Sequence, residues 1–216
     1  MQRRQLMKQG AALTALALLG LPAAHAAVDA SAPDQLIRQL STEVLDTLQN
    51  DKAYASGDIN KVMQLVDQKV MPYVDFERTT GLAVGRAWRQ ATPEQKKALS
   101  ESFKQLLVRT YAGALTQVKD VRFNFLPFRP EADQPNKAVV KTQVIQAKGG
   151  DPIQLDYALE RKDGGAWKIY DLNVVGVWLV ENYRNTFAQE VNKSGLDGLI
   201  KSLQTKNAEL SGGKAS

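Results

Sequence analysis

The sequence lacks most of the residues on which enzyme chemistry depends. It contains no cysteine, which excludes disulfides and thiol chemistry, and its only histidine is His25. Without imidazole or thiolate groups, the usual general base, the usual nucleophile–base pairs and most zinc, copper and iron sites are excluded. Only carboxylate, lysine or tyrosine chemistry remains, and we expect no metal and no cofactor.

Long hydrophobic runs are also missing. The apolar stretch AALTALALLGLPAA is shorter than the ~18 residues that span a bilayer. It follows the basic residues Arg3, Arg4 and Lys8, and it precedes Ala24 and Ala26 in the small-x-small arrangement of a cleavage site. This order predicts a signal peptide over residues 1–26, cleaved after Ala26, with Sec and twin-arginine export both open. An uncleaved N-terminal membrane anchor is the alternative.

Cleavage of the predicted signal peptide removes most of the excess positive charge, and it also removes His25. The formal net charge falls from +5 to +2, because three basic residues and no acid are removed. The basic balance is therefore poor evidence for nucleic-acid binding, and we expect none. The length fits one domain, which we place at residues 27–208, and ELSGGKAS at residues 209–216 is expected to be a disordered tail.

Helical periodicity marks the first part of the chain and its end. Ser31 and Asp34 have capping-box spacing, and a second helix, DINKVMQLVDQKVMPYV, ends at Pro72. Thr92 and Gln95 form another capping box, which predicts a helix from residue 93 to 118. Leucines and aromatic residues at helical spacing return after residue 179.

A period of two replaces the helical pattern between these parts. Four runs, VRFNFLPF, KAVVKTQVIQA, PIQLDYALER and AWKIYDLNVVGV, are separated by turn signals that include KGGD and KDGG. Short turns between consecutive strands predict an antiparallel meander. The fold class is therefore α+β, with a curved four-stranded antiparallel sheet packed against a set of helices.

No motif for catalysis or phosphate binding appears. GLAVGRAW has two glycines but no phosphate-binding helix start. Asp156 and Asp171 lie in neighbouring predicted strands, but the polar face that Asp156 shares with Gln154 and Glu160 favours a solvated sheet surface. The segment VVGVWLV is apolar on both faces. Either a following helix covers the second face, or sheet and helices stand apart and leave an apolar cavity.

An ordered series of segments resembles the MlaC family, also called the toluene-tolerance auxiliary family. The series comprises PYVDFERTTGLAVGRAWRQATPEQKKALSESFKQLLVRTYAGAL, LDYAL, WKIYDLNVVGV, LVENYRNTF and GLDGLIKSL, and it spans about residues 33–205. Trp178 departs from the pattern, in which a smaller or polar residue is expected; this bears on the shape of the pocket mouth.

The resemblance implies a periplasmic carrier, not an enzyme, that holds phospholipid acyl chains in an apolar cavity between sheet and helices. It also implies shuttling between an outer-membrane lipoprotein–porin complex and an inner-membrane ring protein with its ABC transporter, which maintains outer-membrane lipid asymmetry. We expect a monomer. A periplasmic chaperone or lipoprotein carrier, and less readily a carboxylate-based enzyme on a similar cone-shaped fold, are alternatives.

The expected cavity has a helical side, a sheet side and a mouth with a closing helix, and ordinary core packing is the alternative for each residue. The helical side consists of Val74, Phe76, Leu82, Trp88, Phe103, Leu107 and Tyr111. The sheet side consists of Val140, Val144, Leu155 and Tyr157, and the mouth and closing helix contribute Val174, Val177, Trp178, Tyr183 and Phe187.

Overall fold

A computed structural model of the chain describes residues 28–51, 54, 58–115 and 118–212. The predicted signal peptide and its cleavage site lie outside these residues. The helices are α1 (Pro33–Asn50), α2 (Ile59–Leu65), α3 (Phe76–Val84), α4 (Pro93–Leu115) and α5 (Leu179–Gly212). The strands are β1 (Val121–Phe125), β2 (Lys137–Gln146), β3 (Ile153–Glu160), β4 (Lys168–Val174) and β5 (Val177–Trp178).

The helix starts follow the capping chemistry of the sequence with one exception. The box before α4 is confirmed: Gln95 N–H donates to Thr92 Oγ1 at 3.2 Å, and Thr92 N–H donates to Gln95 Oε1 at 3.1 Å. The predicted box before α1 is wrong, because α1 begins one residue later, with Ala32 at the N-cap. Asp29 instead accepts the Ser31 N–H at 2.9 Å.

The second predicted helix is α-helical only at its start. Asp58 caps α2 by accepting N–H groups at its first turn, and the helix ends at Leu65. A π-helical turn over Val66–Val70 and a 3₁₀ turn over Met71–Tyr73 then lead into an extended residue, Val74. The pyrrolidine ring of Pro72 lies in that last turn, where a regular helix cannot continue.

The sheet is an antiparallel meander in the order β1-β2-β3-β4-β5, which confirms the predicted topology but not the strand count. The fourth predicted run, AWKIYDLNVVGV, contains β4 and the start of β5, which together form a hairpin. Val175 and Gly176 take φ values of +50° and +86°, so the chain turns there, and β5 pairs back on β4. Positive φ at both central residues is what a two-residue type I′ turn requires, and glycine supplies one of them without strain.

Strand register sorts the side chains onto two faces. The inner face carries the row Phe125, Thr142, Leu155, Val174 and Val177, with parallel rows at Val140–Tyr157–Leu172 and Phe123–Val144–Ile153. The outer face carries the row Lys141, Asp156, Asn173 and Trp178. Residues opposite each other in an antiparallel pair share a face, so each row is a continuous strip across the sheet.

Two separate buried clusters hold the described residues together. In the sheet cluster, α1 places Leu36, Ile37 and Leu40 on one end of the inner face, against Leu159 and Ile169. The helix cluster joins α3, α4 and α5 through Ala83, Val84, Leu99, Phe103, Leu106, Phe187, Leu199 and Leu203. No buried residue belongs to both clusters, so the fold has two centres of packing.

Helix α5 closes the fold and runs further than predicted. It bends at Gly195, which has a φ of +70°, and continues to Gly212, past the domain boundary placed at residue 208. Leu210 packs on the helix cluster there. Residues 213–216 of the predicted tail lie outside the described residues. Among the helices that the structure describes, none is both long and apolar enough to cross a membrane.

Candidate functional site

The inner face of the sheet is only half covered. α1 buries the end at Ala138, Leu159 and Ile169, all below 9 % exposure. At the other end the apolar side chains are half-buried and belong to neither cluster; they are Phe123, Val144, Ile153, Leu155, Leu172 and Val174. We call these six residues the apolar strip. A contiguous apolar strip on a sheet, left partly accessible, is suited to an apolar ligand.

Aromatic rings form the core of the helical half. Phe103 has its ring centroid 5.7 Å from Phe76, 4.9 Å from Tyr183 and 5.0 Å from Phe187. Phe103 and Phe187 are fully enclosed, whereas Phe76 and Tyr183 remain half-buried at the margin of the cluster. The enclosed rings hold α3, α4 and α5 together, and the marginal rings provide accessible apolar surface.

The predicted lipid-binding residues fall into distinct places. Phe103, Val140 and Phe187 are buried in the two clusters, and Val177 is exposed. The other predicted residues are half-buried: Val74, Phe76, Leu82, Trp88, Leu107, Tyr111, Val144, Leu155, Tyr157, Val174, Trp178 and Tyr183. Register brings Leu155, Val174 and Val177 together in one row, and it puts Trp178 on the opposite face of the sheet.

Tyr157 is a polar residue of the inner face, as is the buried Thr142 in the neighbouring row. Its hydroxyl lies 3.4 Å from Ser41 Oγ on α1, and burial raises the pKa of Tyr157 to about 12. The phenol therefore stays neutral at physiological pH and completes a hydrogen bond between the sheet and α1.

Strand register does not place the two aspartates opposite each other. Asp156 is 4 % exposed, so the expectation of a solvated position is wrong. Register pairs Asp156 with Asn173, and Asp171 with Ala158. Burial raises the pKa of Asp171, and its Oδ1 accepts N–H groups at 2.8 and 3.1 Å, which fixes the entry into α5.

A cleft of about 1030 Å³ lies on the helical half, between the α3 region and α5. Its lining includes Arg78, Leu82, Arg86, Trp88, Arg89 and Arg184. We call it the arginine cleft. Arg78 bridges to Glu160 at 2.5 Å, and Arg184 Nε donates to Leu82 O at 3.2 Å. Of the predicted lipid-binding residues, Leu82 and Trp88 lie in this cleft and not beside the apolar strip.

Comparison with known proteins decides which family this fold represents. The family model described as MlaC protein matches residues 38–205. The chain belongs to the MlaC family. The sequence is 26 % identical to the intermembrane phospholipid transport system binding protein MlaC of Haemophilus influenzae, over 82 % of this chain and 83 % of that protein. It is 28 % identical to the toluene tolerance protein Ttg2D of Pseudomonas putida, over 79 % and 78 % of the two chains.

A solved structure extends the comparison to three dimensions. The phospholipid-binding protein of Ralstonia solanacearum, in complex with a phospholipid, superposes with a TM-score of 0.76 at 43 % identity. The match covers 81 % of this chain and 96 % of that one. The sheet and helices described above are thus the fold of that phospholipid-binding protein.

Reasoning from the sequence missed half of the apolar strip. Three of its six residues, Val144, Leu155 and Val174, were predicted to line the cavity. The other three, Phe123, Ile153 and Leu172, were not. The alternation of β3 and β4 contained the signal for two of them, because Ile153 has the same parity as Leu155 and Leu172 has the same parity as Val174. Phe123 could not be found that way, because no other residue of β1 was assigned to the wall and its place beside Val144 depends on the strand register.

Proposed function

We propose that this chain is a periplasmic phospholipid carrier whose acyl-chain site is built on the apolar strip. The observation that carries the proposal is the uncovered half of the inner face, on a fold that the phospholipid-bound Ralstonia solanacearum protein shares at 43 % identity. The ligand would lie between the strip and the margin of the helix cluster, where Phe76, Leu107 and Tyr183 are half-buried.

A carrier of this kind must match the membrane in apolar character. Burying a methylene is worth about 0.8 kcal/mol, so a diacyl lipid with roughly thirty methylenes resists leaving a bilayer by ~20 kcal/mol or more. Transfer becomes close to thermoneutral only if the protein offers a comparable apolar surface. The carrier then exchanges lipid without chemistry of its own, and partners determine the direction of transport.

The system name of the Haemophilus influenzae relative, intermembrane phospholipid transport, supports a role between two membranes. In the proposed cycle the chain is exported to the periplasm as a monomer. It moves lipid between an outer-membrane lipoprotein–porin complex and an inner-membrane ring protein with its ABC transporter. This traffic maintains the lipid asymmetry of the outer membrane.

Native mass spectrometry of the protein purified from periplasm without detergent tests the proposal. Wild-type protein should carry phospholipid in stoichiometric amount, identified after organic extraction. Leu155→Arg should abolish it, because a guanidinium in the centre of the apolar strip cannot be desolvated without a partner.

The matched control is Val139→Arg, the same arginine placed on the outer face of the neighbouring strand, where Val139 is 40 % exposed. It should retain lipid at the wild-type level. A folded Leu155→Arg protein with full lipid occupancy would show that the apolar strip is not the acyl-chain site. Lipid-free wild-type protein that also takes up none from vesicles would disprove the carrier function itself.

A further inference from the structure

The arginine cleft carries cationic charge that the described part of the chain does not neutralise. Its lining has four arginines and no aspartate or glutamate. Only Arg78 forms an ion pair, with Glu160; across residues 28–51, 54, 58–115 and 118–212, no carboxylate lies within 4.0 Å of the Arg86, Arg89 or Arg184 guanidinium. Arg86 and Arg89 therefore offer whole guanidinium groups around one concavity to an anionic partner, and Arg184, whose Nε donates to Leu82 O, offers its two terminal nitrogens.

The cleft is separate from the apolar strip. On α5, Tyr183 and Phe187 pack into the helix cluster, whereas Arg184 and Ala188 line the cleft. Neighbouring residues on a helix differ by about 100° in direction, so α5 presents these two pairs to different surroundings. The lining of the cleft and the apolar strip have no residue in common.

Part of the cleft lining is apolar, and the indole ring of Trp88 belongs to it. Leu82, Val84 and Val191 line it together with Trp88. A Cβ at Gly81 would come within 2.9 Å of Trp88 Nε1, so the glycine allows the indole to lie flat against α3. Lys96 Nζ lies 5.5 Å from the centroid of the same ring and adds to the positive potential.

The size and chemistry of the cleft select among anionic ligands. A single phosphate needs one or two guanidinium groups and no apolar lining. A volume of about 1030 Å³, a partly apolar lining and several separated cations instead fit a peptide segment in which an apolar side chain is flanked by carboxylates.

We propose that the arginine cleft is a docking site for an acidic segment of a partner protein, with Trp88 and Leu82 receiving an apolar side chain and Arg86, Arg89 and Arg184 binding its carboxylates. This inference rests on the proposed carrier function, because a carrier must dock on the proteins that load and unload it.

Partner binding by charge-reversed variants tests the docking site. The full chain carrying Arg86→Glu and Arg89→Glu would be compared with a control variant carrying Arg122→Glu and Lys148→Glu, two exposed bases in β1 and in the turn after β2. Affinity for the purified soluble domain of the ring protein, and for the outer-membrane complex, would be measured across a salt series. Lipid content would be measured on the same samples by native mass spectrometry.

We expect the cleft variant to bind at least one of these partners about tenfold more weakly or worse, with a flatter salt dependence, and to retain its lipid. The control variant should bind as wild type. Unchanged affinity and salt slope for both partners in the cleft variant would overturn the proposal. So would loss of lipid from the cleft variant, since the cleft would then belong to the lipid site.

Two further arms keep these outcomes separable. Arg86→Gln with Arg89→Gln repeats the test without introducing new charges, in case the reversal affects folding. If the wild-type protein itself carries no phospholipid, the carrier function fails, while the affinity comparison still decides whether the cleft docks a protein.

Discussion

At the scale of single residues, the close contact between Gly81 and Trp88 shapes one wall of the helical half. The two glycines of GLAVGRAW have structural reasons unrelated to phosphate binding. Gly81 makes room for the indole, and Gly85 ends α3 with a φ of +71°. The close approach at Gly81 and the positive φ at Gly85 both favour glycine, because glycine alone lacks a Cβ.

Replacing Gly81 with alanine should destabilise the fold. Helix propensity favours alanine by about 1 kcal/mol, but a Cβ 2.9 Å from the indole overpacks the site at a cost of about 1–3 kcal/mol. We expect a net loss of about 1 kcal/mol in the free energy of unfolding, measured by urea denaturation. Gly113→Ala in α4, whose Cβ would meet no atom within 4 Å, should instead gain stability. Equal gains in both variants would contradict the steric explanation.

Tyr157 gives the fold a specific sensitivity to alkaline pH. Because burial raises its pKa to about 12 in the folded protein, the unfolded chain loses this proton first as pH rises above 10. The unfolded state then binds fewer protons, so the free energy of unfolding falls with pH, by up to about 3 kcal/mol between pH 10 and 12.

Tyr157→Phe should remove that part of the pH dependence. At pH 7 the variant should be less stable by about 1 kcal/mol, because the contact with Ser41 is lost. The gap between variant and wild type should narrow as pH rises beyond 10. Urea unfolding curves at pH 7, 9, 10 and 11 measure this, and parallel curves for the two proteins would show that Tyr157 does not titrate on unfolding.

At the scale of elements, the β4–β5 hairpin carries backbone strain at an exposed apolar tip. Val175 has a φ of +50° and is 66 % exposed, although a β-branched residue is disfavoured in that region. The turn is nevertheless fixed, since Val175 N–H donates to Gln154 O at 3.0 Å and Gly176 N–H donates to Asn173 Oδ1 at 2.8 Å. These bonds and the glycine hold a turn that valine alone would not favour.

Val175→Asn should relieve the strain, because asparagine followed by glycine is a favoured pair for a type I′ turn. We expect the free energy of unfolding to rise by about 1 kcal/mol, as the αL penalty of valine is removed. The matched control is Val177→Asn, two residues further along in β5, which has no positive φ to relieve and should gain nothing. A gain shared by both variants would indicate an effect of surface polarity and not of backbone strain.

At the scale of the whole molecule, two centres of packing leave the apolar strip outside both buried clusters. The sheet cluster and the helix cluster share no buried residue, and the apolar strip belongs to neither. A ligand that binds only the folded state stabilises it by mass action, and here it would also bring apolar surface on the two halves into contact.

Removing bound lipid should therefore lower the melting temperature. Protein stripped of lipid by extraction and refolding should melt several degrees below the native preparation, and should recover when vesicles restore the lipid. The Leu155→Arg variant should melt at one temperature in both conditions, and Val139→Arg should respond like wild type. Equal melting temperatures for stripped and lipid-loaded wild type would show that the lipid does not connect the two halves.

The sequence by itself determined the elements and their order. Capping at Thr92 and Gln95 fixed the start of α4, and period-two runs fixed the antiparallel meander, because these signals depend only on neighbours along the chain. Tertiary structure decided what the signals could not. The chain reverses at Val175, so one predicted strand is part of a hairpin; Asp156 is buried, and Leu82 and Trp88 line the arginine cleft. Periodicity gives the face on which a side chain lies, but only the packing of distant segments decides what covers that face.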